Sequence, residues 1–267
     1  MPELPEVETI RRQLARRVLR TTLERVEVFE TRLRRRVPAR RLHGLEGRML
    51  AALERYGKYL LFHFAPDGPT LFFHLGMTGR LLCDGTPPPH THLRLRFSRS
   101  VVLYADARRF GILGLSSRRF PEELSRLGPD ALSETFSPSY LAARSRGRKR
   151  AIHSLLLDQR EVAGIGNIYA SEILHVAGIR PYRPAGSLEP RHFRHLVGAT
   201  RAVLREAIRH RGTSISDYRD VAGRPGRYQH RLRVYGRASM PCPACGEPLR
   251  SSRIAGRTSF FCERCQV

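Results

Sequence analysis

Four cysteines near the end of the chain and one proline behind its first methionine are the residues whose types and spacing could do chemistry. Cys242-x2-Cys245-x16-Cys262-x2-Cys265 has the spacing of a four-thiolate zinc site. Two CxxC turns supply two ligands each, and four thiolates close a tetrahedron with no position open to water. One structural zinc is therefore expected, holding a short hairpin that cannot build a core of its own. A redox pair is the alternative for one CxxC, and the second CxxC argues against it. Cys83 lies outside the set and is expected as a core or half-buried thiol.

Pro2 offers a different chemistry. Methionine before a small second residue is readily removed, which leaves a secondary amine at the chain start. An α-amino group titrates near about 8, against about 10.4 for lysine. Part of it is then an unprotonated nucleophile at neutral pH, able to form a Schiff base with a sugar carbon. Glu3 stands beside it as a general acid or base. Met-Pro-Glu alone is better explained by the ordinary start of a helix, so its meaning depends on the rest of the chain. Of 48 lysines and arginines only Lys58 and Lys149 are lysines. Coding bias accounts for the arginines, which makes the exceptions informative, because lysine can lose its proton near neutral pH and arginine cannot. Lys58, in Arg55-Tyr56-Gly57-Lys58-Tyr59-Leu60, sits between apolar strand-like segments. Lys149 lies in the basic run Arg144, Arg146, Arg148, Lys149, Arg150, which without a nucleic-acid context reads as a solvated linker face.

The elements that must position these groups are legible in outline. Val7, Ile10, Leu14 and Val18 share one helical face, predicting a first helix over Pro5–Leu19. Short extended segments follow at Arg25–Phe29, Arg48–Leu53, Tyr59–Phe64, Leu71–Leu75, Leu93–Phe97 and Val101–Ala105, separated by Gly and Pro clusters. Helical patterning then takes over at Ala151–Leu157, Asn167–Ala177 and about Leu188–His210. The expected class is α+β and multi-domain. It comprises a β-sandwich with flanking helices over 1–115, a linker over 116–150, a helical domain over 151–235 and a zinc hairpin over 236–267.

A formal charge of +24 and a pI near 11.3 favour a polyanionic partner bound in a steeply salt-dependent way. Charge alone fits a ribosomal or chromatin protein equally, but 41% hydrophobic residues support a folded core. No basic-then-apolar leader and no long apolar run is visible, so a cytoplasmic protein with reduced thiols is expected.

Gly164-Ile165-Gly166-Asn167 follows a segment that reads as helix, which disfavours a dinucleotide fingerprint and leaves two helices joined by a glycine turn. Backbone N–H groups at the second helix start suit a phosphate. Together with the opening Pro2-Glu3-Leu4-Pro5-Glu6-Val7-Glu8-Thr9, the Lys58 segment and the cysteines, this turn resembles the formamidopyrimidine-DNA glycosylase family from Pro2 to Cys265. These are bacterial base-excision repair enzymes. The resemblance implies a nucleophilic Pro2, acid–base Glu3 and a catalytic-pocket Lys58. It also implies a helix–two-turns–helix motif, with Asn167 on a DNA phosphate. Arg257, beside the Ala255-Gly256 hairpin turn, matches a tip arginine that contacts phosphate at the lesion. Met77, Arg108 and Phe110 match a trio that fills the void left by a flipped base. His90 and Lys149 match DNA contacts, Glu6 and Glu172 would form a shell around Lys58, and 213–228 would be a mobile cover over the flipped base. Ala107 and His153 depart from the family, which has proline and a phosphate-contacting lysine there. The implied enzyme is monomeric, nucleoid-associated, and excises 8-oxoguanine and formamidopyrimidines from double-stranded DNA, cutting the strand by β,δ-elimination. Two alternatives stay open: an endonuclease VIII-like enzyme for oxidised pyrimidines, disfavoured by Leu4 and the trio, and a non-catalytic damaged-DNA-binding protein if Met1 is retained.

Overall fold

The computed structural model describes residues 1–215 and 217–267. They form two compact units, each drawn from two stretches of chain: Met1–Arg126 with His210–Gln229, and Leu127–Arg209 with His230–Val267.

The first unit opens with α1 (Leu4–Val18), whose Val7, Ile10, Leu14 and Val18 are all buried as the helical period predicts. Then come β1 (Leu23–Val28), the short α2 (Ala39–His43), β2 (Met49–Tyr56), β3 (Tyr59–Ala65) and β4 (Thr70–His74). β5 (Arg80–Cys83), β6 (Thr91–Phe97), β7 (Val101–Ala105) and β8 (Ile112–Ser116) complete it. The strands make two antiparallel sheets, ordered β1-β6-β7-β5 and β2-β3-β4-β8. Side chains from both sheets, among them Leu50, Phe62, Phe73, Leu95 and Tyr104, join α1 in one apolar cluster, so the expected β-sandwich is present. Cys83 is part of that cluster, and burial pushes its thiol up to about 11. Outward-facing Arg94 meets Glu27 at 3.0 Å across the β1–β6 ladder. β5 and β8 go beyond the sequence expectation. β5 has only four residues, and β8 carries Gly114 and Ser116, whose weak strand preference hides its pattern.

The first half of α1 is buried from Leu4 to Ile10, which takes Glu6 and Glu8 into the interior, where a carboxylate must be paired or bonded. Glu8 accepts from Arg11 at 2.8 Å, Arg12 at 2.7 Å and Arg55 at 3.2 Å. Burial works to raise its pKa, but hydrogen bonds from Arg11 and Arg12 and the charges of Arg11 and Arg55 hold it down to about 2.

Residues 210–229, read from the sequence as part of the helical domain and as a mobile cover, belong to the first unit. Tyr218 and Val221 lie in its core, and Cys83 N–H donates to Val221 O at 2.8 Å. The fully buried Asp220 accepts from Gln13 at 3.1 Å and pairs with Arg224 at 3.1 Å. The described part of the cover is therefore anchored by its own side chains; Ser216 lies outside the described residues.

The second unit contains α3 (Pro138–Ser145), α4 (Ile152–Leu157), α5 (Asn167–Val176) and α6 (Pro190–Arg209), then a hairpin of β9 (Arg250–Ile254) and β10 (Arg257–Phe261). α3 falls within the expected linker. Ser137 caps it, Oγ accepting the N–H of Tyr140 at 3.1 Å, Pro138 occupies its first turn, and it packs on α6. Between α4 and α5 the Gln159 side chain donates to Ile165 O at 2.8 Å and accepts from Gly164 N–H at 2.9 Å, which fixes the connector's shape.

Glu8→Gln tests the buried charge. Removing hydrogen bonds to a charged group is expected to cost about 2 kcal/mol of stability at pH 7. A folded pKa below the unfolded value of about 4.3 contributes stability above that pH and loses it as pH falls. The gap in denaturant midpoint between parent and variant should therefore be full at pH 6, shrink below about pH 4.3 and close towards pH 2. A gap independent of pH would show that Glu8 acts by shape alone.

Candidate active site and nucleic-acid interface

Pro2 and Glu3 are both buried, with Glu3 as the N-cap of α1. Glu6 Oε2 accepts the N–H of Glu3 at 2.8 Å, and its Oε1 accepts the N–H of Thr213 at 2.7 Å. Only glycine permits this approach: Gly212 has φ +75°, and a Cβ there would lie 2.5 Å from Glu6 Oε1. Glu6, expected beside Lys58, thus ties the chain start to the returning segment.

Lys58 is buried in the turn between β2 and β3, where Tyr56 pairs with Tyr59. Gly57 precedes it at φ +55°, the positive angle that the first position of a two-residue hairpin favours. Arg55, bonded to Glu8 on α1, also donates to Gly57 O at 3.1 Å. One buried carboxylate therefore links the helix that follows Pro2 and Glu3 to the turn that carries Lys58.

His74 joins this site without any signal in the sequence. Across the β3–β4 ladder it pairs with Tyr59, ring centroids 4.8 Å apart. Burial, then the charges of Lys58 and Arg34, push its imidazole down to about 4, so it is neutral at pH 7. Nδ1 accepts Gly76 N–H at 3.1 Å, which leaves the proton on Nε2 as a donor suited to an anion. Strand register brings it there, and spacing along the chain carries no such signal.

Met77 and Phe110 are each 42% exposed, and the Arg108 guanidinium lies 4.6 Å over the Phe110 ring. One buried acid holds their two loops. Asp106 accepts from the Thr78 hydroxyl, from Gly111 N–H at 2.7 Å and from the Tyr104 hydroxyl at 3.3 Å, while Arg108 N–H donates to Thr78 Oγ1 at 3.2 Å. His90 is exposed at φ +62°, and its carbonyl accepts the N–H of Asp106 at 3.1 Å. A cavity of about 680 Å³ in the same unit is lined by Arg35, Arg41, Tyr59, Phe72 and Arg118 among others, but by none of Pro2, Glu3 and Lys58.

In the second unit Asn167 begins α5. Its Nδ2 donates to Thr258 O at 2.9 Å and its Oδ1 faces His153 Nε2 at 3.1 Å. His153 is fully buried and held near 4, first by burial and also by the charge of Arg257, so it is a neutral brace for Asn167 and no cation for a phosphate. Arg257 is exposed beside the Ala255-Gly256 turn, at the start of β10. In the basic run, Arg144, Arg148 and Arg150 converge on buried Glu161, which leaves Lys149 exposed with no carboxylate partner among the described residues. Glu172 accepts three backbone N–H groups, from Arg233, Val234 and Tyr235, each at 2.9 Å. Burial raises its pKa against these bonds, and the carboxylate's duty here is to fix the chain that leads into the zinc motif. The sulfurs of Cys242, Cys245, Cys262 and Cys265 all lie within 4.8 Å of one another, with Cys242–Cys265 at 3.9 Å and Cys245–Cys262 at 3.5 Å. Zinc–sulfur bonds of about 2.3 Å place tetrahedral sulfurs about 3.8 Å apart, so the four fit one structural zinc.

Residues 1–113 match the formamidopyrimidine-DNA glycosylase N-terminal domain, 127–219 the formamidopyrimidine-DNA glycosylase H2TH domain, and 240–267 a zinc finger found in FPG and IleRS. Formamidopyrimidine-DNA glycosylase of Syntrophomonas wolfei is 45% identical over 274 residues, with 100% of each chain covered. The crystal structure of MutM (Fpg) protein from Thermus thermophilus is 44% identical, with a TM-score of 0.86 over 99% of this chain and 98% of that one. Wild-type Lactococcus lactis Fpg, in complex with DNA containing N7-benzyl-Fapy-dG, is 32% identical with a TM-score of 0.89 over 99% of each. No helix among the described residues is long and apolar enough to cross a membrane.

Asp106→Asn puts an amide N–H2 where three donors converge. It should cost about 1–3 kcal/mol of stability and weaken binding to duplex carrying an abasic analogue, since Arg108 and Phe110 lose their common anchor. Unchanged melting temperature and affinity would show that Asp106 does not anchor these loops.

Proposed function

The chain belongs to the formamidopyrimidine-DNA glycosylase family, and we propose that it excises 8-oxoguanine and formamidopyrimidines from duplex DNA and then cuts the strand at the exposed sugar. The observation that carries this reading is the buried link from α1 to the Lys58 turn: Glu8 to Arg55 to Gly57, with Pro2 and Glu3 buried at the head of the same helix.

With Met1 removed, the Pro2 nitrogen attacks C1′ of the sugar. The bond from C1′ to the base breaks, and the base leaves with the electron pair and takes up a proton. Glu3 serves as the acid at the ring oxygen, which opens the sugar and leaves a Schiff base on Pro2. Loss of the proton at C2′ then expels the 3′ phosphate, and a second elimination expels the 5′ phosphate, leaving a one-nucleotide gap. Lys58 positions or protonates the substrate at this centre.

A base stacked in a duplex is out of reach of such chemistry, so the nucleotide must be flipped out. Exposed Met77 and Phe110 occupy the vacated stack, and Arg108 bonds the orphaned base. Asn167, Arg257, Lys149 and His90 hold phosphates, and the net charge of +24 supplies the salt-dependent part of the affinity. Zinc keeps the β9–β10 hairpin folded and takes no part in the reaction. The enzyme works as a monomer in the cytoplasm, on the nucleoid.

The decisive experiment is borohydride trapping on a duplex with 8-oxoguanine opposite cytosine, followed by mapping of the cross-linked peptide. The adduct is expected on Pro2, Pro2→Gly should abolish it, and Glu3→Gln should slow strand cleavage roughly 100- to 10,000-fold. An adduct on Lys58, or full cleavage by Pro2→Gly, would overturn the nucleophile assignment. Trapping only on thymine glycol duplex would move the substrate to oxidised pyrimidines.

A further inference from the structure

The zinc site has a neighbour that the cysteine spacing does not announce. His175 lies near the end of α5, is 7% exposed, and its Nε2 stands 3.5 Å from Sγ of Cys242, itself 3% exposed. We propose that His175 donates its Nε2–H to the zinc-bound Cys242 thiolate and thereby slows ligand exchange at the metal, acting as a positioning residue for the zinc site.

The direction of the bond follows from charge. A metal-bound thiolate carries no proton and accepts only, so the shared hydrogen must come from the imidazole. The other tautomer would set a nitrogen lone pair against a thiolate. It would also leave a buried donor at Nδ1, which has no hydrogen-bond partner among the described residues. A zinc ion bound by four thiolates has a net charge of −2, so an N–H donor at one sulfur stabilises that charge and makes the thiolate harder to protonate or attack, the steps that free it from the metal.

The fold gives His175 little freedom to do otherwise. Three residues of α5 reach the zinc hairpin or the chain leading to it: Asn167 bonds Thr258 O on β10, Glu172 holds the N–H groups of 233–235, and His175 touches Cys242. Gln266 in turn accepts Cys262 N–H at 2.8 Å and donates to Ile179 O at 2.7 Å, just beyond the helix. The helix is thus fixed against the cluster at both ends, and the imidazole is held in place.

The test uses the full-length protein with His175→Phe and His175→Met, which fill the space without a donor, and His175→Gln, which keeps an N–H. Zinc transfer to a chromogenic chelator is measured together with the sulfur-to-cobalt charge-transfer band of the cobalt-loaded proteins. Both donorless variants are expected to lose zinc about tenfold faster or more and to shift the band to longer wavelength, while Gln stays near the parent. Two results would overturn the proposal. One is parental rates and spectra in Phe and Met; the other is a Gln variant indistinguishable from them, which would make His175 a packing residue only.

Discussion

Burying carboxylates beside an amine terminus is the constraint from which the rest of this structure follows. The head of α1 lies in the interior of the first unit, and it brings three acids with it, Glu3, Glu6 and Glu8, each under one-tenth exposed. An unpaired buried carboxylate is untenable, so each must find donors. Glu8 gathers three arginines and through one of them reaches the β2–β3 turn. Glu6 takes the N–H of Glu3 and, from more than two hundred residues along the chain, that of Thr213. Satisfying these charges thereby fixes the head of α1, the Lys58 turn and the returning segment with respect to one another.

The same logic recurs elsewhere in the molecule. A buried acid lies inside and the exposed basic or apolar side chains lie outside. Asp106 ties the loops of Met77, Arg108 and Phe110; Glu161 collects Arg144, Arg148 and Arg150; Asp220 holds Arg224 and the 210–229 segment. With twice as many basic as acidic side chains, the acids are the scarcer resource, and their positions decide which cations are held still and which, like Lys149, face solvent. Rigid display matters for recognition because a preorganised cation loses less freedom on binding.

Periodicity made much of this readable from the chain. The apolar face of α1, the alternation of β6 and the helical stretches of the second unit all carry their period openly, and the paired CxxC turns identify their metal. What stayed hidden depends on register or on tertiary partners. His74 reaches Lys58 only by pairing across β3 and β4, and Asp106 looks like any loop acid until its three donors converge. Glu6 and Glu172 accept backbone N–H groups far along the chain, bonds that no spacing announces. The stretch 116–150 looked like a linker because its helix is short, although Ser137-Pro138 is a proper helix start. His153, a departure in sequence, becomes intelligible only when its imidazole is seen against Asn167.

The division of the chain has a consequence for how the protein comes into being. The first unit is closed by residues 210–229, and Val221, Tyr218 and Asp220 fill positions that α1 and β5 leave open. A ribosome delivers the amino end first. By the time these residues emerge, α3 to α6 are already outside, and the sandwich has waited through more than eighty residues of another unit for its last pieces. The second unit is in turn unfinished until its cysteines appear at the far end. Neither half can mature alone on the nascent chain, so the head of α1 acquires its final setting only as synthesis nears completion.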